Sequence, residues 1–558
     1  MQKDVCKRKH QFSFHIRGMD PVSLEKALEK KCKNHFWLAW ILFLTASPIV
    51  FNSAHLASYV FLGGNPTFFC NIPELVEANW TKEQIREISS PGLSKQSCVH
   101  YAWNYSLLKD LDFNEALTYS NISQKPDVIK CKNYIYDEDV FHQTIVSEWD
   151  LVCDDLPLRS TAQSTIALGK FVGALVFGLL SDRFGRKKTF AFSCIMYMIV
   201  GPSTAFVNSY GLFILFRLLI GVAGAGAYDT GYTILMELTV KNYRAYVGNI
   251  FNIAFSIGLI FLPLAAYFTN NWRQLQLAIS VPICVLLINC WFIPESPRWL
   301  ITSGKIEKAS HIIGSVERLE DSEPDQFSLS NSKGKSNSCR KNVFFIFEDY
   351  TKLFATLELT KRTLICYYLW SMGNLYYYTI ALSGANFEVN QYLYIGLNGL
   401  VETPGFLLPL LFFAYFGRKS SGIALWTVSG IAMLVIIVIP QGWPIMCVTL
   451  VARLAGAAAY GAIMFYTLEL FPTENRNTAM GSCVTMSQLG PLLAPYVVDI
   501  LGKKVWWLPT TLCGSLALLG AFLLMFVPET RDTPMLDTIY EMKRVEKESL
   551  FKEPERAN

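Results

Sequence analysis

The segment Gly178–Lys188 reads GLLSDRFGRKK, and its charged residues separate two long apolar runs. Its GRK triplet at 185–187 recurs at 417–419, which is 232 positions later. The stretch PESPR at 294–298 recurs as PETR at 528–531, which is 234 positions later. A nearly constant offset at separate sites indicates that the chain consists of two duplicated halves, each containing the same succession of apolar runs and charged turns.

The apolar runs are roughly 20 residues long, which is enough to cross ~30 Å of hydrocarbon. Only 17% of the 558 residues are charged and 52% are hydrophobic, whereas soluble domains carry about 25% charged residues. A soluble solenoid would alternate polar and apolar faces, but here the charges cluster in loops and tails. We therefore predict an all-α membrane protein with two pseudo-symmetric six-helix bundles and spans near 36–62, 159–181, 188–208, 210–236, 245–269, 275–293, 360–384, 390–416, 420–440, 444–469, 478–500 and 505–527.

The runs divide the chain into five parts. They are an N-terminal segment 1–35, a first bundle 36–293, a linker 294–355, a second bundle 356–527 and a tail 528–558. Within the linker, 319–342 is polar and nearly free of aromatic residues, which is typical of a mobile segment. The first run is not a signal peptide, because some 35 mostly polar residues precede it and no small-residue cleavage site follows.

Lysine and arginine concentrate at the two ends of the chain and in alternate loops, including Arg183–Lys188, Lys241–Arg244 and Lys305–Arg318. By the positive-inside rule, both termini and these loops face the cytoplasm, which an even number of spans allows. The net charge of +4 is too small to indicate a nucleic-acid partner. We therefore expect a multi-pass protein of the plasma membrane, in contact with the lipid bilayer.

The first loop, 63–157, faces the outside in this topology and contains three N-x-S/T sequons, at Asn79, Asn104 and Asn121. Three sequons in one exterior loop predict a glycoprotein. The loop also holds four cysteines, an even number in an oxidising compartment, which predicts two disulfides with three pairings open. These cysteines are Cys70, Cys98, Cys131 and Cys153.

These motifs together resemble a known family. GLLSDRFGRKK resembles the loop motif of the major facilitator superfamily, and PESPRWL at 294–300 with PETR at 528–531 is similar to its sugar-porter and organic-ion branches. The large first loop and its ending EWDLVCDD at 148–155 resemble the organic cation/anion/zwitterion transporters. The chain departs from the pattern at Ala414 and Tyr415, where the first motif has an acid and an arginine, and at Asp532, where a glycine is usual.

Charged residues at the cytoplasmic helix ends are candidates for gating. Asp182 is expected to accept hydrogen bonds from a neighbouring helix N-terminus and to pair with Arg183, Arg186 or Lys187, latching one conformation. A basic loop that only sets topology is the alternative. Acid–base sets that recur in both halves suit a network that breaks as the halves rock, unless they are simply solvated. They are Glu237, Arg244, Glu295, Arg298, Glu469, Arg476, Glu529 and Arg531.

An ionisable residue inside a predicted span costs about 2.5–3.5 kcal/mol and is therefore expected to face a cavity or a partner, and five such residues are candidates for a functional role. Arg217 and Arg453 occupy equivalent places in the repeat, which favours a symmetric structural or gating role. Lys170 lies twelve residues before Asp182, and Asp229 eight residues before Glu237, at the cytoplasmic ends of their helices. At 1.5 Å per residue, the two positions therefore differ by ~6 Å in depth. They form either a neutralising pair or a contact for the substrate, or both.

The resemblance also implies a central substrate site. The positions that match the family's aromatic and acidic site are Tyr228, Asn252, Phe255, Trp370, Asn374, Tyr377 and Glu402. Glu402 is the fifth of the ionisable candidates inside spans. Trp370 and Tyr377 are seven residues apart and share a helix face, which is able to receive an ammonium group by cation–π contact unless these rings only pack. Gln488 stands where cation carriers have an aspartate and many anion and carnitine carriers a basic residue, so its neutral amide indicates neither substrate.

The expected function is therefore transport of small organic cations or zwitterions, such as biogenic-amine derivatives, carnitine-like betaines or β-amino acids, by alternating access. An organic-anion carrier, with Lys170 or Arg453 facing the cavity, is one alternative. A transport-inactive receptor or scaffold with a glycosylated ectodomain is another. No nucleotide-binding loop and no metal-spaced His/Cys cluster occurs in the sequence, so we expect no enzyme activity, no cofactor and no metal.

Overall fold

A computed structural model describes residues 21–64, 66–91, 96–137, 143–313, 350–387, 389–472, 475–531 and 541. All of the polar linker segment 319–342 and most of the predicted tail therefore lie outside the described residues. Ten of the helices in this part of the chain are long and apolar enough to cross a membrane. Two others occupy the seventh and twelfth predicted spans: Leu357–Leu382 begins with a charged turn and is rich in tyrosine, and Leu508–Leu524 is 17 residues long.

The chain begins with an amphipathic helix that packs its apolar side against the first bundle. This helix is α1 (Pro21–Cys32), and its Leu24 and Leu28 are buried with Val240. The first membrane helix follows as α2 (His35–Ala57) and, after a break at Ser58, α3 (Tyr59–Leu62).

The loop between the first two membrane helices folds as a small domain with its own core. Its strands pair as two antiparallel two-stranded ladders, the first with the fourth and the second with the third, so that Cys70 lies opposite Tyr134 and Val99 opposite Lys130. Its elements are β1 (Phe68–Cys70), α4 (Pro73–Glu77), α5 (Lys82–Ser89), β2 (Val99–Tyr101), α6 (Tyr105–Leu108), α7 (Phe113–Ile122), β3 (Val128–Lys130), β4 (Tyr134–Tyr136) and α8 (Ile145–Glu148).

The remaining helices of the first half complete its bundle. They are α9 (Leu156–Phe184), α10 (Arg186–Ser203), α11 (Tyr210–Leu238), α12 (Lys241–Tyr267) and the sixth span, built from α13 (Trp272–Ser280) and α14 (Leu286–Phe292). Two short helices follow, α15 (Pro297–Thr302) and α16 (Ile306–Ile313). Glycines let α9 and α11 touch: a Cβ at Gly169 would lie 2.2 Å from the carbonyl oxygen of Leu218. Such close backbone approach is typical of helix pairs in membranes.

The second bundle repeats this arrangement. Its helices are α17 (Leu357–Leu382), α18 (Gln391–Phe416), α19 (Arg418–Val435), α20 (Trp443–Leu470), α21 (Arg476–Ser487), α22 (Leu489–Tyr496), the π-helical segment Val497–Leu501, α23 (Gly502–Lys504) and α24 (Leu508–Leu524). The observed helix ends lie within a few residues of the predicted spans, so the long apolar runs located the helices correctly.

We call the side of the bundles that carries the folded loop domain the loop side, and the side that carries the GRK triplets the motif side. The bundles touch on the loop side. There Ser160 of α9 donates to the carbonyl oxygen of Pro495, and Ser164 donates to that of Leu492. Between α12 and α18, a Cβ at Gly399 would lie 3.0 Å from the carbonyl oxygen of Ser256. The interface is therefore closed on the loop side in this conformation.

Candidate functional site

A small cavity of about 20 Å³ lies between the two bundles, beneath their loop-side contact. This volume holds about one water molecule, and the walls are mostly apolar. Phe255 and Tyr377, two of the predicted substrate residues, line it and their rings meet edge to face at 6.3 Å. Gln163, Asn398 and Arg453 also line it. Of these three, the sequence had singled out only Arg453, as a gating residue or for an anion carrier.

Glu402 is paired inside the second bundle. Its carboxylate lies 2.9 Å from a guanidinium nitrogen of Arg453, and the two side chains are 1% and 2% exposed. The hydroxyl of Tyr377 donates to both carboxylate oxygens, at 3.1 and 3.0 Å. The Arg453 guanidinium also lies 3.5 Å from the centre of the Tyr377 ring. A carboxylate with these partners does not present a free negative charge in this conformation.

Arg217, the counterpart of Arg453 in the first bundle, is held by neutral groups among the described residues. It donates to the hydroxyl of Ser58 at 3.1 Å and to the side-chain oxygen of Gln163 at 3.2 Å. A weaker hydrogen bond reaches the carbonyl oxygen of Ala162 at 3.4 Å. Each arginine ties helices of its own bundle together, which supports the structural role expected from the repeat.

Lys170 and Asp229 are both half-buried, and each interacts electrostatically with the other. The structure describes no direct ion pair between them and no hydrogen bond to either side-chain charge. The reason lies in the register of α9 and α11, because the Lys170 backbone stands beside Gly221. Asp229 is eight residues further along α11, or about 12 Å. This separation is larger than the ~6 Å expected from the sequence, so the expected contact pair is not formed here.

Aromatic and amide side chains form two small clusters near the interface. In the first bundle, the hydroxyl of Tyr228 donates to Asn252 at 3.1 Å. In the second, Asn374 donates to the hydroxyl of Tyr460 at 2.9 Å, and the Tyr460 ring packs edge to face on Trp370 at 5.4 Å. The two clusters are near enough for Tyr228 and Tyr460 to interact electrostatically.

The sequence predicted that the Trp370 ring faces the substrate, but in the structure this ring is buried. It is 2% exposed, and its indole N–H donates to the hydroxyl of Thr467 at 3.1 Å. Tyr460 lies over it and is half-buried. Gln488 is half-buried at the break between α21 and α22, where its amide donates to Ser487 at 3.3 Å. The more accessible aromatic residue of this cluster is thus Tyr460, which was not among the residues predicted from the sequence.

On the motif side, the helix-capping role expected of Asp182 belongs to another acid. The carboxylate of Glu295 accepts hydrogen bonds from the backbone N–H groups of Arg186 at 2.9 Å and Lys187 at 3.0 Å, the first residues of α10. Asp182 sits in the last turn of α9 with its side chain 77% exposed and forms an ion pair with Arg186 at 3.1 Å. Arg186 also contacts Glu237 at 3.2 Å. The prediction of pairing was correct, and the prediction of capping by Asp182 was wrong, because the PESPR segment places Glu295 at the helix N-terminus.

The second bundle has the same geometry. Glu529 accepts from the N–H groups of Arg418 and Lys419, both at 3.0 Å, and Arg418 contacts Glu469 at 3.2 Å. Burial acts to raise the pKa of Glu529, but hydrogen bonds from four backbone N–H groups outweigh it and hold that pKa below its usual value.

The other predicted gating arginines have described contacts within their own bundle. Arg244 donates to the carbonyl oxygen of Thr239, Arg298 to Glu237, Arg476 to Phe471 and Arg531 to Tyr415, while Arg183 lies over the ring of Phe184.

The loop domain contains two disulfides, Cys70–Cys131 and Cys98–Cys153, which selects one of the three pairings left open by the sequence. The second disulfide anchors the domain just before α9. The three sequon asparagines, Asn79, Asn104 and Asn121, are all exposed and therefore accessible for modification.

A duplicated six-helix bundle around a central cavity is the architecture of a secondary membrane transporter. The xylose transporter of Escherichia coli in its inward-open conformation shares it, with a TM-score of 0.57 and 14% identity over 89% of this chain and 98% of that chain. At this identity the likeness shows the fold alone, and it confirms the predicted fold class.

Sequence comparison defines the family. The profile of the sugar (and other) transporter family matches residues 153–540. An organic cation transporter protein of Drosophila melanogaster is 30% identical over 507 residues, covering 89% of this chain and 90% of that protein. Organic cation/carnitine transporter 2 of Mus musculus is 31% identical over 528 residues, covering 90% and 91%. The chain therefore belongs to the major facilitator superfamily, among the solute carrier family 22 organic ion transporters, and is a multi-pass membrane transporter rather than an enzyme.

Proposed function

We propose that this transporter carries small organic cations or zwitterions across the plasma membrane by alternating access, with its loop side outside and both termini in the cytoplasm. One observation carries the choice of substrate charge. Of the two acids predicted in the substrate site, Glu402 is neutralised by Arg453 at 2.9 Å, whereas Asp229 has no direct partner among the described residues. A half-buried carboxylate without a partner is a ready counter-charge for an ammonium group.

Aromatic rings near Asp229 supply the rest of the cation site. Tyr228 precedes Asp229 on α11, and Tyr460 of the second bundle is near enough to Tyr228 to interact with it electrostatically. Tyrosine rings attract a cation by up to about 2 kcal/mol each where water is excluded. Names of relatives agree with this charge preference, because the Drosophila protein is an organic cation transporter and the mouse protein an organic cation/carnitine transporter.

Lys170 extends the proposal to zwitterions. Like Asp229, it is half-buried and has no direct partner among the described residues. A substrate with a carboxylate and an amine would satisfy both residues at once. The same observation favours a second candidate, an organic-anion carrier in which Lys170 binds the substrate and Asp229 only balances its charge.

An uptake panel in cells that express the protein tests these readings. Matched compounds isolate the charge: choline, glycine betaine, the neutral carbon isostere 3,3-dimethylbutanol, and succinate. We expect choline or betaine to accumulate above the level in mock-transfected cells, and each to inhibit the other. The isostere should not compete. Uptake of succinate without uptake of either amine would overturn the cation proposal in favour of the anion carrier.

A further inference from the structure

The carboxylate of Asp499 is a point at which three groups of the first bundle meet the second. It lies in the π-helical segment Val497–Leu501, at the loop-side end of the eleventh membrane helix, and is 7% exposed. The hydroxyl of Tyr59 donates to it, and the hydroxyl of Ser160 donates at 2.9 Å. The guanidinium of Arg159, whose side chain is 8% exposed, lies at 3.7 Å. An acid, a base and two hydroxyls from opposite bundles are therefore buried together.

The surrounding contacts form a continuous seam between α9 and the eleventh helix. Ser160 also donates to the carbonyl oxygen of Pro495, and Ser164, one turn further on, donates to that of Leu492 at 2.7 Å. The hydroxyls of Thr161 and Tyr496 lie 3.0 Å apart. Because residues i and i+4 share a helix face, the seam follows one face of α9. Asp499 is the only acid in this seam among the described residues.

The local backbone of Asp499 is unusual for a membrane helix. Single π-helical turns inside α-helices are rare and occur frequently at functional sites. Here the π segment follows Pro495 and rotates Asp499 relative to a regular helix. A fully buried, uncompensated carboxylate would be costly. The groups in direct contact with the Asp499 carboxylate come from the first bundle, while Lys503 of its own helix acts on it electrostatically. When the bundles separate on the loop side, water replaces those partners.

We propose that the ion pair of Asp499 and Arg159 is a latch that holds the loop side of this carrier closed. The uncharged hydroxyls of Tyr59 and Ser160 strengthen it by donating hydrogen bonds to Asp499. Breaking the latch removes contacts that exist only in the closed state, and therefore shifts the population toward carriers open on the loop side. The inference rests on the proposed orientation with the loop side outside. It does not depend on which substrate is carried.

A cysteine reporter in the cavity tests the latch without any substrate. Ala57 lines the cavity beneath the seam, so a cysteine there is shielded from the loop side while the latch is closed. Intact cells expressing Ala57→Cys are treated with a membrane-impermeant thiol reagent, and the unsubstituted chain gives the background. We expect Asp499→Asn and Arg159→Gln each to raise the labelling rate on the order of tenfold, the ratio that corresponds to 1.4 kcal/mol. The charge-reversed pair Arg159→Asp with Asp499→Arg should return the rate toward that of the parent.

A matched control uses another ion pair on the same side, which joins the loop domain to the first bundle and is not part of the seam. Arg273 contacts Glu148, which also accepts from the indole of Trp272. Glu148→Gln removes a charge pair without touching the seam and should leave the reporter rate unchanged. If a charge variant fails to reach the surface, Tyr59→Phe with Ser160→Ala keeps both charges and should give a smaller increase. An unchanged rate in all surface-expressed seam variants, or fast labelling of the parent reporter itself, would overturn the latch.

Discussion

Arg453 and Glu402 form an ion pair, 2.9 Å apart, that is buried within the second bundle beside the cavity. Its equivalent in the first bundle is built differently, because Arg217 is bound by the neutral side chains of Ser58 and Gln163. Removing one partner of a buried pair leaves the other charge unpaired, which costs about 3–5 kcal/mol. The pair is therefore first a structural feature of the bundle.

Glu402→Gln is expected to lower the surface level of the protein and its thermal stability in detergent, since Arg453 would remain as an uncompensated buried charge. Glu402→Gln combined with Arg453→Gln should recover much of both. Surface biotinylation and a thermal unfolding assay measure these effects. Asp182→Asn is the control, because the Asp182 side chain is 77% exposed in its ion pair with Arg186, and solvent-exposed pairs contribute about 0–1 kcal/mol. If Glu402→Gln reached the surface normally and only weakened amine uptake, Glu402 would be a substrate ligand instead.

The fold was predictable because its signals are local and repeated. Long apolar runs predicted the positions of the helices, and the recurrence of GRK at 185–187 and 417–419 predicted the division into two halves. One site residue was missed although a signal existed. Tyr460 stands nine positions before Glu469, as Tyr228 does before Glu237, so the repeat that was used for the charged motifs also pointed to it.

Other features depend on how helices pack and were not predictable from spacing. The depth of Lys170 relative to Asp229 depends on the register at which Gly169 and Gly221 touch, and this register doubled the expected separation. Glu295 caps α10 in place of Asp182, which the sequence had suggested, because the chain after the sixth span returns to the start of α10. The cluster at Asp499 requires both bundles and a π-helical turn, which no pattern in the sequence indicates.

The loop domain provides a test of orientation. Asn79, Asn104 and Asn121 are exposed on it, so all three should carry glycans if the loop side faces the outside. Treatment with a glycosidase should lower the apparent mass of the surface protein, and replacing the three asparagines with glutamine should abolish that shift. An unchanged mobility, together with a loop that proteases added to intact cells do not cut, would place the loop side in the cytoplasm.

The motif side should separate residues that stabilise a bundle from residues that act in the transport cycle. Glu295 caps α10 through two backbone hydrogen bonds. Glu295→Ala should therefore lower the free energy of unfolding by about 0.5–2 kcal/mol and reduce the surface level of the protein. Asp182 is largely exposed here and is free to meet the other bundle when the motif side closes. Asp182→Ala should therefore reduce the maximal rate of uptake more than the surface level. Normal turnover of Asp182→Ala at a normal surface level would exclude such a role.

Asp229 is the residue on which the proposed substrate charge depends. Its carboxylate has no direct partner among the described residues, and Lys170 acts on it only at a distance. If Asp229 binds the ammonium group, Asp229→Asn should raise the half-saturation concentration for amines at least about tenfold, or 1.4 kcal/mol, with little change in surface level. Initial rates of uptake over a range of concentrations, normalised to surface protein, measure this effect.

The double variant Lys170→Met with Asp229→Asn decides between binding and charge balance. If Asp229 mainly neutralises Lys170, the single variant Asp229→Asn should lose surface expression, and the double variant should regain both expression and affinity for amines. If Asp229 binds the amine, the double variant should keep the raised half-saturation concentration however well it is expressed. Lys170→Met alone then measures the second charge: it should weaken uptake of betaine while leaving that of choline unchanged, because only the zwitterion has a carboxylate for the lysine to bind.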